Sequence, residues 1–346
     1  MLTGVTRAFS DDIAVDLGTA NTLVYVAGRG VVIDEPSVVA VQTQDGTRVM
    51  LAVGAAAKQL HGRTPEPIEL VRPLRDGVIA DFMAAEEMLR QFLARAKRVL
   101  GFRRPRILVC VPSGATPLER KAVYDTAMQV KASKVLMVEE PVAAALGAGL
   151  PIDRAHAFMV LDIGGGTSDI AVMREGKVIA TRSLRLAGNA MDEAIVNHVR
   201  ARYRLLIGEG NAERIKIEAG RVGGNLSGAE DAEVHIKGRE IGSGRPKSVV
   251  LTAADIAEAL ADPVARLGDF VERALEDLPR PTVLEIANVG IVLTGGGALL
   301  NGLDATLSER LGMRVAKASD PLQCVIRGTA SILEKLDRSQ PFLLPF

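Results

Sequence analysis

Ile13-Ala14-Val15-Asp16-Leu17-Gly18-Thr19-Ala20-Asn21-Thr22-Leu23-Val24-Tyr25-Val26 is an aliphatic run ending in Asp, a Gly- and hydroxyl-bearing turn, and a second aliphatic run. Met159-Val160-Leu161-Asp162-Ile163-Gly164-Gly165-Gly166-Thr167-Ser168-Asp169-Ile170-Ala171-Val172 repeats the design. Both stretches predict β-hairpins with phosphate-sized tips. Glycines let backbone N–H groups approach an anion, and hydroxyls add donors. An Asp at each strand end suits a nucleotide's magnesium held through water, because that ion keeps much of its hydration shell. One such hairpin is only a tight turn, whereas two copies imply a duplicated fold gripping one phosphate chain from both sides.

Three further stretches complete a candidate site. Val138-Glu139-Glu140-Pro141-Val142-Ala143-Ala144-Ala145-Leu146-Gly147-Ala148-Gly149 sets two carboxylates before a Pro that opens a helix of small residues. A carboxylate there serves either as a cap or to orient a water for attack on a γ-phosphate. Ile291-Val292-Leu293-Thr294 feeds Gly295-Gly296-Gly297-Ala298, a turn that a flat ligand can approach. Ala212-Glu213-Arg214-Ile215-Lys216 begins a charged helix that, taken alone, is a solvated face.

The chain has 346 residues, room for two domains, with 42 basic and 42 acidic side chains and no net charge. That balance argues against a nucleic-acid surface and permits self-association. Hydrophobic residues make up 48% but aromatics only 3%, so the core must be aliphatic, as in α/β layers. The two cysteines, Cys110 and Cys324, have no metal or disulfide spacing; Cys110 reads as a buried strand thiol, and a reducing cytoplasm fits. No stretch approaches the ~18 apolar residues of a transmembrane helix, and Met1 to Ser10 lacks a secretory signal's apolar core. Leu2, Val5 and Phe9 share a helical face, but Gly4 and two threonines weaken it, so that end reads as a frayed terminus rather than an amphipathic anchor.

Ala85, Met88, Leu89, Phe92, Leu93 and Ala96 recur at helical spacing and predict an amphipathic helix from about Met83 to Leu100. Between Arg95 and Arg106 stand six basic and no acidic residues, around Leu100 and Phe102. Such a segment either meets an anionic bilayer, at roughly 1 kcal/mol per basic residue, or is a solvated helix end whose two apolar side chains fold back onto the core.

The order of these motifs resembles the actin, Hsp70 and sugar-kinase ATPase superfamily and, within it, the MreB family of bacterial actin homologues. Asp16 to Thr22, Asp34-Glu35-Pro36-Ser37-Val38-Val39-Ala40, Gly62-Arg63-Thr64-Pro65, Arg72-Pro73-Leu74-Arg75-Asp76-Gly77-Val78-Ile79-Ala80-Asp81-Phe82, Pro112-Ser113-Gly114-Ala115-Thr116, Gly147-Ala148-Gly149-Leu150-Pro151 and Leu205-Leu206-Ile207-Gly208-Glu209 carry the resemblance, which runs from about Asp12 to Leu333. It implies an α/β actin-like fold of two ribonuclease-H-like domains around a nucleotide cleft. Domain I would be 1–149, with 319–346 returning to it and a small subdomain at about 33–66. Domain II would be 150–318, with a small subdomain at about 182–248.

The resemblance further implies a slow, magnesium-dependent ATPase that polymerises, its protofilaments paired. It would sit on the inner face of the cytoplasmic membrane and work with cell-wall synthesis and membrane-anchored morphogenesis proteins to set cell shape. Gly18, Thr19, Ala20 and Asn21 would meet the phosphates from one side, and Gly164, Gly165, Gly166 and Thr167 from the other. Asp16 and Asp162 would hold magnesium through water, and Glu140 with Thr167 would position the attacking water. Ala212, Glu213 and Lys216 would reach ribose and purine, Gly295, Gly296, Gly297 and Ala298 would line the adenosine pocket, and Leu100 and Phe102 would face the membrane. Two places depart from the family pattern. Ala187-Gly188-Asn189 loses an acid, and Arg327 and Thr329 stand where small residues are usual. These departures keep open an alternative: a nucleotide-gated scaffold or chaperone-like ATPase with little hydrolysis. A chaperone, however, needs a substrate region where only about a dozen residues follow the last expected helix.

Overall fold

The computed structural model describes residues 12–44, 46–60, 68–75, 77–99, 104–129, 131–223 and 233–345, without the side chains of Val99, Asp337 and Arg338. The first quoted stretch forms β1 (Ile13–Leu17) and β2 (Asn21–Val26), paired antiparallel with Asp16 opposite Leu23. With β3 (Gly30–Pro36), β9 (Arg106–Val111) and β10 (Lys134–Glu139) they make a sheet ordered β10-β9-β1-β2-β3. The second stretch forms β11 (Phe158–Ile163) and β12 (Ser168–Arg174). With β13 (Lys177–Leu184), β17 (Ile291–Thr294) and β18 (Val315–Lys317) they give the order β13-β12-β11-β17-β18. In each sheet three consecutive strands run antiparallel and two later strands add in parallel beside the first. The duplication in sequence is therefore a duplication of topology.

Two smaller sheets flank these. One is β4 (Val39–Gln44), β5 (Thr47–Val53) and β6 (Ile68–Val71), packed by α1 (Gly54–Leu60). The other is β14 (Leu205–Leu206), β15 (Val234–Glu240) and β16 (Pro246–Leu251). A short ribbon pairs β7 (Leu74–Arg75) with β8 (Val78–Ile79). β3 stays in the large sheet, and β6 extends the first small sheet as far as Val71.

The central strands are buried along almost their whole length, because helices cover both faces, and so they read as continuous Val, Ile, Leu and Ala. α2 (Phe82–Val99) lays Met88, Leu89, Phe92, Leu93 and Ala96 into the first core; each such side chain contributes roughly 1.5–3 kcal/mol on burial, Ala less. α3 (Pro117–Gln129) packs beside it. α5 (Gly188–Tyr203), α6 (Glu209–Ala219), α7 (Ala253–Glu276), α8 (Arg280–Val289) and α9 (Leu303–Leu311) surround the second sheet and its small companion.

Between the two large sheets lie α4 (Glu140–Gly147) and α10 (Cys324–Glu334). Their cluster joins Ala14 and Leu108 of one sheet to Val160 and Ala171 of the other through Val142, Ala145 and Ile326. The helices cross at Gly147 and Gly328, where an added Cβ would strike the carbonyls of Cys324 and Ala143. α4 starts as its residues dictate, with Glu139 as extended N-cap and a Pro in the first turn. It stops where Gly149 takes φ +75° and Leu150 N–H turns back to the Ala145 carbonyl. Arg327 points outward and pairs with Asp320, 2.6 Å away, while Thr329 is buried and donates to the Val325 carbonyl. Arg327 therefore faces solvent, and the Thr329 hydroxyl bonds within its own helix.

Candidate nucleotide site

The hairpin tips face each other. A Cβ on Gly165 would lie 2.9 Å from the Ala20 Cβ, so only glycine lets the second tip come this close to the first. Each tip is braced by the segment that follows its sheet's third strand. Ser37 Oγ donates to the Gly18 carbonyl at 2.6 Å and its N–H to Ala20 O at 2.9 Å. In the second half, Gly188 and Asn189 N–H groups donate to the carbonyls of Gly164 (3.1 Å) and Gly165 (2.7 Å). Asn189 thus keeps a backbone role at the site where the family acid is missing. Thr19 and Thr167 are buried and Asn21 is exposed at its tip.

Asp16 and Asp162 stand at the roots of the tips. Burial and then the charge of Asp162, with Asp34 adding, push Asp16 up to about 7. Burial also raises Asp162 to about 7, against the Thr294 hydroxyl that donates to it at 2.9 Å. Register explains the difference in partners: Asp162 faces Thr294 on β17, while Asp16 faces Cys110 on β9. Cys110 is buried, as expected, and its thiol lies 2.7 Å from Thr329 Oγ1.

Glu140, the first residue of α4, is raised well above the carboxylate range by burial, and Asp169, Asp16 and Asp162 push it further. An enclosed cluster of mutually repelling carboxylates is stable when a cation shares the cleft. Among the described residues no three such side chains converge tightly enough to ligate an ion directly.

Of the remaining predicted residues, Gly295 to Ala298 pack against the second hairpin and Ala212 to Lys216 lie on α6. Gly295 takes φ +77°, and a Cβ there would come within 2.6 Å of Asp162 Oδ1, so the triple-glycine turn packs on the second hairpin. It continues as a short 3-10 turn, Gly296–Leu299, with Ala298 buried. The charged helix starts earlier than expected, at Glu209, and is not a free solvated face: Ala212 and Ile215 are buried. Lys216 Nζ reaches Asp192 at 2.8 Å and donates to the Gly188 carbonyl at 2.9 Å, tying α6 to the second tip. Glu213 lies on the same helix, half-buried. Leu100 and Phe102 lie outside the described residues. Of the basic stretch around them, Arg95 pairs with Glu35 and Arg106 with Asp12.

Two site residues carry no strong sequence signal. Asp169 sits opposite Asp162 across the hairpin and accepts from the hydroxyls of Thr167 and Ser183 and from Ser113 N–H in the other half. Like charges opposite each other on paired strands are unfavourable, and that pairing is the clue the register offers. Gly77, in the other half from Thr167, leaves room for its methyl: a Cβ would lie 2.5 Å from Thr167 Cγ2.

The family model described as MreB/Mbl protein matches residues 10–341. The chain belongs to the MreB/Mbl family. It is 47% identical over 332 residues to the cell shape-determining protein MreB of Escherichia coli strain K12, covering 95% of each chain. The structure of MreB5 of Spiroplasma citri bound to ADP superposes with a TM-score of 0.87 at 36% identity, over 95% of this chain and 97% of that one, and the same protein is also known bound to AMPPNP. A MamK double helical filament matches at TM-score 0.78 and 24% identity, over 93% of this MreB/Mbl chain and 99% of that one, a likeness of fold. The actin-like fold is thus established by the family and by these neighbours together.

Proposed function

We propose that this chain is an ATP-hydrolysing cytoskeletal protein whose filaments determine cell shape, binding magnesium-ATP in the cleft between its two sheets. The observation that carries this reading is the pair of glycine-lined tips in near contact above Asp16 and Asp162. The Spiroplasma citri relative's ADP- and AMPPNP-bound forms support the nucleotide assignment.

Gly18 to Asn21 and Gly164 to Thr167 hold the phosphates with backbone N–H and hydroxyl donors. Asp16 and Asp162 hold magnesium through water, and that ion when bound neutralises phosphate charge. Glu140 and Thr167 orient the attacking water, Glu140 accepting its proton; burial and neighbouring acids raise its basicity. Ala212, Glu213 and Lys216 meet ribose and purine, and Gly295 to Ala298 cover the adenosine. The halves are read as 1–149 with 319–346, and 150–318. Paired filaments would lie on the inner face of the cytoplasmic membrane with wall-synthesis partners.

The test is phosphate release by the purified chain with magnesium-ATP. Glu140→Ala is expected to lower turnover by roughly tenfold or more while nucleotide still binds. Wild-type turnover in that variant would remove Glu140 from its role, and absence of turnover in the unaltered chain would remove the ATPase.

A further inference from the structure

The segment Pro341-Phe342-Leu343-Leu344-Pro345 lies outside the proposed nucleotide site, yet it is apolar and bracketed by prolines. After α11 (Leu336–Ser339) and a 3-10 turn at Gln340–Phe342, the chain extends along β10, an edge strand of the first sheet. Leu343 forms an antiparallel bridge with Val138, and Leu344 N–H donates to the Met137 carbonyl at 2.9 Å. Pro345 has no N–H to extend that ladder. Phe342 and Leu343 pack into the cluster between the two sheets, and Leu344 packs into the first core. The 3-10 turn also touches β13, the edge strand of the second sheet. The segment is seated on one side only. A groove of about 450 Å³, bordered by Met128, Lys134, Leu136, Leu344 and Pro345, opens beside it.

β10 leads without a loop into Glu139 and Glu140. Val138, which the segment pins, is two residues from the carboxylate read above as orienting the water. An edge strand has one unpaired side and opens more readily than a central one. We infer that Phe342–Leu344 is a positioning strap for Glu140: it holds the end of β10 in place and links it to the facing edge of the second sheet. The inference rests on the proposed role of Glu140, and so the test has one arm independent of turnover.

Leu344→Pro removes the N–H donor, and Leu343 already has the extended backbone (φ −80°, ψ 136°) that a following proline demands. Leu344→Ala keeps the donor. A chain ending at Gln340 removes the strap. Amide hydrogen exchange in 134–140 is expected to speed up about tenfold in Leu344→Pro and in the shortened chain, and little in Leu344→Ala. In steady-state phosphate release, the first two variants are expected to lose about three- to tenfold in kcat, with affinity for a fluorescent ATP analogue kept within about twofold. Leu344→Ala retains most of the turnover.

Unchanged exchange in the shortened chain overturns the strap. Wild-type kcat in both Leu344→Pro and the shortened chain, or a joint loss of kcat, affinity and thermal stability, overturns its positioning role. If the unaltered chain has no turnover, the ATPase reading falls, and the exchange arm still decides whether the tail holds β10.

Discussion

Raising the carboxyls of Asp16 and Asp162 to about 7 has a thermodynamic consequence in the nucleotide-free chain. Between the ordinary carboxylate range and that value, the folded state binds more protons than the unfolded state. Stability from these groups therefore falls as pH rises from about 4 to 7, by about 1.4 kcal/mol for each pH unit per group at most. Glu140 and Asp169 are raised too, and act in the same direction. Asp16→Asn removes one charge from the cluster. We expect it to raise the melting temperature of the nucleotide-free protein by several degrees at pH 8 and little at pH 4, and to weaken magnesium-dependent nucleotide binding. Thermal unfolding of both proteins at the two pH values checks this; equal shifts at both would contradict the account. Asp16 and Asp162 could be picked out from sequence because each ends an aliphatic run before a Gly turn. The pairing of Gly77 with Thr167 and of Cys110 with Thr329 could not, because those partners meet only when separate segments fold together.

At the scale of elements, the hairpins were legible because their periodicity and turn chemistry are local, and so was α2, whose apolar stripe predicted its buried face. The crossing of α4 and α10 was not, since a small-residue helix gives no sign of which helix it will touch. Gly147 and Gly328 let the two backbones approach until a side chain on either would collide with the other helix. Because the opposing atoms are backbone, they cannot rotate away, and the helices must separate, opening the cluster between the sheets. Gly328→Val is expected to destabilise the chain by about 3 kcal/mol or more, measured by denaturant unfolding. Gly210 is the matched contrast. It lies in α6 with open space where a Cβ would go, so Gly210→Ala should be neutral or stabilise by up to about 1 kcal/mol. If Gly328→Val proved as mild as Gly210→Ala, close approach would not be what fixes the crossing.

For the whole molecule, zero net charge leaves little global repulsion against stacking one copy on the next, but it is an average over uneven regions. The stretch from Arg95 to Arg106 has six basic and no acidic residues, yet Glu35 and Asp12 already hold the cations at its two ends. Between them in the sequence, Arg98, Arg103 and Arg104 flank Leu100 and Phe102. Among the described residues no helix is long and apolar enough to cross a membrane. Apolar insertion and charge attraction separate experimentally, since only the second weakens with salt. Replacing Leu100 and Phe102 with Ser should abolish co-sedimentation with anionic vesicles at high salt, while magnesium-ATP still drives assembly without lipid. Vesicle binding by the unaltered chain should fall in part as salt rises and fall in part on neutral lipid. Retained binding at high salt in the double variant would move the anchor away from this loop, and a chain that stays monomeric with magnesium-ATP and lipid at micromolar concentration would remove the filament itself.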